Sequence, residues 1–119
     1  MHRIFACMNW ISLTEDNQLE QIKEESKKQP VVIFKHSTRC SISSMAKNRL
    51  ERETPAENVS FYYLDLIRYR AISNKIAEEF HVHHESPQIL LIKNGECTYD
   101  ESHNGISMEE ISSQAGVPM

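Results

Sequence analysis

No apolar run in this chain approaches the roughly 20 residues that a membrane-spanning helix requires, so no transmembrane segment and no membrane partner are expected. A cysteine framework is missing too. Three cysteines, an odd number at irregular spacing, do not staple a small extracellular domain, and the chain reads as a protein of a reducing compartment, the cytoplasm. Basic excess is absent: the net charge of −4 argues against a nucleic-acid partner, whose phosphates call for a cationic surface. There is no repeat, low-complexity tract or interior linker to divide the chain. Residues 1–10 carry one Arg and are interrupted by Asn9, too short and broken for a secretory leader. Residues 1–9 are therefore read as a frayed extension or a mistaken start, and residues 10–119 as one domain.

What is present fits an ordinary globular domain. At 119 residues, with 39% hydrophobic and 25% charged, the chain is long enough to bury a core without staples. Trp10-Ile11-Ser12-Leu13 suggests an edge strand. Thr14 resembles an N-cap ahead of Glu15 and Asp16, and Leu19, Ile22 and Ser26 share a face of the helix that Gln29-Pro30 stops. Val31-Val32-Ile33-Phe34 is a β-branched run of the sort covered on both faces of a sheet. Ile42, Met45, Ala46 and Leu50 recur at helical spacing up to Thr54-Pro55. Val59-Ser60-Phe61-Tyr62-Tyr63-Leu64 is a second strand, rich in aromatics, and Tyr69, Ile72, Ile76 and Phe80 mark a third helix. Asn94-Gly95 between Gln88-Ile89-Leu90-Leu91-Ile92-Lys93 and Glu96-Cys97-Thr98-Tyr99 is a hairpin signal of type I′. Ser107-Met108-Glu109-Glu110 is a capping box, stapled by Ile106 and Ile111, for a last helix ending near Gly116. The order (β)αβαβα followed by ββα predicts a central mixed sheet with helices on both faces, an α/β architecture of thioredoxin type with a C-terminal hairpin and helix.

Cys40 falls where the first buried strand turns into a helix. The unpaired N–H groups and partial positive charge of a first helical turn favour thiolate, and Lys35, His36 and Arg39 add cationic or polarisable neighbours. Cys40-x-x-Ser43 has the spacing of a dithiol redox motif with the second sulfur replaced by a hydroxyl. It can attack a disulfide but not resolve the product; Ser43 is expected to donate a hydrogen bond to the thiolate. Cys97 is expected at the far side of the sheet, and neither it nor Cys7 is read as a resolving thiol. His81-x-His83-His84 lacks the companion ligands of a metal site and reads as a polar loop, from which His84 or Glu85 would face the thiol and substrate.

Four separated segments carry a family resemblance: His36-Ser37-Thr38-Arg39-Cys40-Ser41-Ile42-Ser43, Tyr62-Tyr63-Leu64-Asp65-Leu66-Ile67, Ile72-Ser73-Asn74 and His84-Glu85-Ser86-Pro87-Gln88. Together, over residues 10–111, they resemble the YtxJ-type monothiol bacilliredoxins of the thioredoxin-like superfamily. The resemblance implies removal of bacillithiol from S-bacillithiolated client proteins, with bacillithiol as co-substrate and no bound cofactor or metal. It makes Cys40 the nucleophile, Pro87 a cis-proline packed against it, and Ser86 a backbone contact for an extended substrate. Thr38, Arg39, Ser41 and His84 complete the expected substrate-binding set, Arg39 as a guanidinium for the malate carboxylates of bacillithiol. The family pattern has proline after the cysteine; Ser41 departs from it and restores an N–H donor. Oligomeric expectation is a monomer or weak dimer. The competing readings are a glutathione-using monothiol glutaredoxin-like protein, an iron–sulfur or thiol carrier, and a noncatalytic thioredoxin-like interaction module.

Overall fold

The computed structural model describes residues 8–116. In chain order the elements are β1 (Trp10–Ser12), α1 (Gln18–Glu25), β2 (Val31–His36), α2 (Ser41–Arg52), β3 (Ser60–Asp65), α3 (Arg70–Phe80), β4 (Gln88–Lys93), β5 (Glu96–Ser102), a 3-10 turn (His103–Gly105) and α4 (Met108–Ala115). One mixed sheet has the order β1-β3-β2-β4-β5, with β1 and β2 parallel to β3, and β4 antiparallel to both β2 and β5. This is the thioredoxin-type α/β architecture anticipated from the element order.

Strand parity decides which layer each side chain enters. Val31 and Ile33 pack with Leu19 and Ile22 of α1 and with Ile72, Ile76 and Phe80 of α3. Val32 and Phe34 pack on the opposite face with Ala46 and Leu50 of α2 and Met108 and Ile111 of α4. Because both faces are covered, all six residues of β2 and all six of β4 are buried, including Lys35, His36, Gln88 and Lys93. Side chains alternate along a strand, so Lys35 belongs to the α1/α3 layer and His36 to the α2/α4 layer.

Several local expectations hold and two are corrected. Asn94 and Gly95 both take positive φ, 52° and 78°, as a type I′ turn demands. Ser107 Oγ accepts from the Glu110 N–H at 3.1 Å, while the Glu110 carboxylate accepts from Gln114 Nε2, so the serine half of the capping box is the half seen. Thr14 does not cap α1. The helix starts at Gln18, whose Oε1 reaches back to accept from the Thr14 and Glu15 N–H groups at 2.7 and 2.9 Å. In α2 the buried stripe is Ser43, Ala46 and Leu50, whereas Ile42 and Met45 are 50% and 61% exposed. Those two lie about 100° around the helix from the stripe; a buried serine takes the place that an apolar residue was expected to fill.

Candidate active site

Cys40 is the N-cap of α2, with extended backbone (φ −112°, ψ 121°) and a half-buried side chain. Its N–H donates to Ser37 O (3.2 Å) and its carbonyl accepts from Ser44 N (3.0 Å), which fixes the backbone on either side of the sulfur; the thiol itself makes no cap hydrogen bond. Thr38, Arg39 and Ser41 surround it at the surface, and Arg39 forms no ion pair among the described residues.

Beneath this turn Ser43 is fully buried. Its Oγ lies 2.7 Å from His36 Nδ1 and accepts from the Ser37 N–H at 3.0 Å. The hydroxyl is thus engaged by His36 and Ser37 rather than by Cys40 Sγ. His36 is held between aromatic rings, stacked on Phe34 at 5.7 Å and tilted against Tyr63 at 5.6 Å. Burial, helped by the Lys47 charge, pulls its pKa below the ordinary 6.5 against the pull of Asp65, so His36 is the neutral member of a buried pair. It does not serve as the cation beside Cys40 that its sequence position suggested.

The other half of the site is the loop before β4. The Ser86-Pro87 peptide bond is cis. Because Lys35 of β2 pairs with Gln88, Pro87 stands at the same end of the sheet as Cys40, beside the last residue of β2. Pro87 is buried and its carbonyl accepts from the His103 N–H at 3.1 Å; Ser86 Oγ is buried with no partner among the described residues. Two buried side chains anchor the loop from below. Gln88 Nε2 donates to His83 O (2.9 Å) and its Oε1 accepts from the Glu85 N–H (3.3 Å). Lys35 Nζ donates to Ser73 O (3.2 Å) in α3 and lies 3.2 Å from His84 Nδ1, which also has Ser73 Oγ at 3.4 Å. Burial lowers Lys35 to about 8 from its ordinary 10.5, and burial followed by the Lys35 charge lowers His84. Sequence reasoning placed Lys35 among the groups around the thiol. Parity sends it to the opposite layer, and the alternation of Lys35 with His36 was the signal that distinguishes them.

The remaining candidates lie apart. Cys97 on β5 pairs with Ile92, which pairs with Val31, the opposite end of β2 from Cys40. Burial pushes its thiol up to about 11, so it stays protonated at neutral pH. Cys7 is outside the described residues. His81 caps α3 in the left-handed conformation (φ 57°), while His83 is 90% exposed with Nε2 3.9 Å from Glu85. Among the described residues no group of three or more His, Cys, Asp and Glu side chains converges on a metal-sized site, and no helix is long and apolar enough to cross a membrane.

A thiol capping the helix after a central strand, beside a cis-proline that opens the neighbouring antiparallel strand, and with a serine where a second cysteine would stand, defines a thioredoxin-fold protein of the monothiol kind. The chain belongs to the monothiol bacilliredoxin BrxC family, whose family model matches residues 11–111. Among solved structures it resembles a thioredoxin-fold protein assigned as an oxidoreductase, 33% identical over 91% of this chain and 94% of the other, with a TM-score of 0.76. It shares the fold of the thioredoxin of Malassezia sympodialis (22% identity, 98% of both chains, TM-score 0.75) and of Schistosoma mansoni thioredoxin (20%, 93% and 96%, TM-score 0.68). Membership and fold support a thiol-redox role.

Proposed function

We propose that this protein removes bacillithiol from S-bacillithiolated proteins in the cytoplasm through a mixed disulfide on Cys40. The observation that carries the reading is the state of the two positions that a resolving thiol would need. Ser43 is buried and bonded to His36 and Ser37, and Cys97 belongs to the far end of the sheet. Among the described residues no second thiol stands beside Cys40, which supports chemistry that stops at the mixed disulfide. The Cys40 thiolate attacks the bacillithiol sulfur of a protein–S–S–bacillithiol bond; that bond breaks, the client leaves as thiolate and takes up a proton, and Cys40 retains bacillithiol. A second bacillithiol thiolate then attacks the bacillithiol sulfur on Cys40, releasing bacillithiol disulfide and restoring the Cys40 thiolate. Arg39, exposed and unpaired among the described residues, supplies a guanidinium for the carboxylates of bacillithiol. Thr38, Ser41, Ser86 and His84 complete the proposed substrate-binding set.

Intact mass spectrometry tests this with reduced protein and a bacillithiolated or glutathionylated model client. Transfer of bacillithiol onto the parent and its complete loss in Cys40→Ala is the expected result. Transfer of neither adduct overturns the enzyme reading, and preference for the glutathione adduct replaces bacillithiol with glutathione as the co-substrate. Arg39→Ala is expected to raise KM for the bacillithiolated client about 5-fold, the worth of one charged hydrogen bond at an open site; an unchanged KM removes Arg39 from the site. Iron and colour in anaerobically purified protein would favour a cluster carrier, and partner binding that survives Cys40→Ala without any transfer would favour an interaction module.

A further inference from the structure

Lys35 is a lysine with no exposed surface and no carboxylate within ion-pair distance among the described residues. Filling the space beneath α3 needs only a methionine, and burying an amine is costly. Its ligands are polar atoms of two different elements: Ser73 O in α3 and His84 Nδ1 in the loop that carries Ser86-Pro87. A protonated lysine has three donors and no acceptor. While Lys35 is protonated, below about pH 8, His84 Nδ1 is the acceptor in this contact and the proton of the neutral imidazole resides on Nε2. Nε2 has no partner among the described residues, yet it is not one of the buried polar atoms left unsatisfied, so it meets solvent from a half-buried ring. Lys35 thus fixes, from the inside, which face of His84 is offered outside.

We propose that Lys35 is a positioning residue that holds His84 as its Nε2–H tautomer, presenting a hydrogen-bond donor to an acceptor oxygen of the client chain bound along the cis-proline loop. This rests on the reading of the chain as a thiol-transfer enzyme acting on protein clients. It assigns the recognition of the client to two halves of one device. Gln88, the strand partner of Lys35, sets the backbone of His83 and Glu85; Lys35 sets the ring between them. The Lys35 ammonium touches no reacting atom. It acts through His84, as an outer-shell group orients a ligand.

The test has two readouts. Long-range nitrogen–proton correlation spectra of the reduced full chain report the His84 tautomer directly and need no variant. The Nε2–H form is expected; a predominant Nδ1–H form overturns the proposal. In Lys35→Met the two tautomers are expected to mix and KM for an S-thiolated protein client to rise about 5-fold, the worth of one hydrogen bond, with kcat within twofold. Lys35→Arg, which keeps a donor, should recover most of both. His84→Ala should raise KM by a similar factor, with no further rise when combined with Lys35→Met, as residues acting in series require. A lysine serving packing alone would be replaced by methionine with stability unchanged or raised, and with KM and the His84 tautomer where they were. No transfer by the parent chain overturns the functional reading and this role with it, whereas transfer by the parent with KM unchanged in Lys35→Met overturns the present inference alone.

Discussion

Lys35 and His36 are consecutive on one strand, both polar and both buried, yet they enter opposite layers and hold opposite halves of the site. His36 is enclosed by Phe34 and Tyr63 and holds the first turn of α2 through Ser43. Lys35 is enclosed by the α1/α3 layer and holds the cis-proline loop through His84. Below the nucleophile the polar contact is between neutral groups, so it adds no buried charge next to a thiol that must itself become charged. Below the loop it is an amine, which locks a donor and acceptor pattern because an ammonium can only donate. A single strand can set the nucleophile and the docking edge independently because alternate residues see different layers.

The sharpest way to break this arrangement is on the α2 side. Ser43→Ala leaves the Ser37 N–H and His36 Nδ1 without their shared partner in a buried place, and a loss of about 2–3 kcal/mol in urea denaturation is expected. The serine on the loop side provides the contrast. Ser86 Oγ is buried with no partner, so Ser86→Ala removes an unsatisfied hydroxyl and should be neutral or slightly stabilising. Equal losses in the two variants would mean that Ser86 has a partner in solution and that the two halves are built alike.

A smaller effect separates the halves by pH. Lys35 titrates at about 8 in the folded chain and at its ordinary 10.5 when unfolded. Above pH 8 the unfolded state binds the extra proton, so stability rises with pH, by at most about 1.4 kcal/mol per unit. Cys97 works the other way: its folded value of about 11 lies above the ordinary 9.0, so from pH 9 the folded state holds the extra proton and stability falls. The two oppose between pH 9 and 10.5, and the net rise is confined to pH 8–9. Chemical denaturation across this range should show the rise in the parent and lose it in Lys35→Met. In Cys97→Ala it should continue to about pH 10, where Tyr62, raised to about 12, begins to reverse it. A rise that persists in Lys35→Met would mean that Lys35 is not the group that titrates.

The elements visible in the sequence are those whose signal is local. The apolar runs of β2 and β4, the Asn94-Gly95 turn and the Ser107 cap each specify their own geometry within a few residues, and the turn sets the antiparallel pairing of β4 with β5. Cys40 and Ser86-Pro87 were legible because each punctuates an element boundary. What was hidden depends on partners distant in sequence. Ser43 looked like a donor to the Cys40 thiolate because its actual partners, His36 and Ser37, belong to the preceding strand and loop; with Ser43 buried, Ile42 and Met45 turn outward. Lys35 looked like a cation for the thiol because proximity along the chain was read without strand parity. Thr14 looked like a cap because its chemistry suits one, yet the helix starts four residues later, at Gln18, whose side chain reaches back to accept from the Thr14 and Glu15 N–H groups.

The least effect is expected at Ser41, the position that departs from the family pattern. Ser41 is the first residue of α2 and exposed, and its N–H belongs to the first turn, where helical N–H groups have no intrahelical acceptor. Proline is well tolerated there, with φ near that of a helix and no lost bond inside the helix, so Ser41→Pro should change stability by no more than about 0.5 kcal/mol. Its consequence for chemistry lies in the donor it removes, since a Ser41 N–H turned toward a thiolate favours that thiolate and a proline nitrogen cannot. Alkylation of Cys40 by iodoacetamide, followed as a function of pH, should therefore be as fast in the parent at neutral pH as in Ser41→Pro, or up to about threefold faster, the effect of half a hydrogen bond. A variant distinctly more reactive at neutral pH than the parent would show that the serine hinders the thiolate, and that the nucleophile half of the site is tuned by its surface turn as well as by the His36–Ser43 pair beneath it.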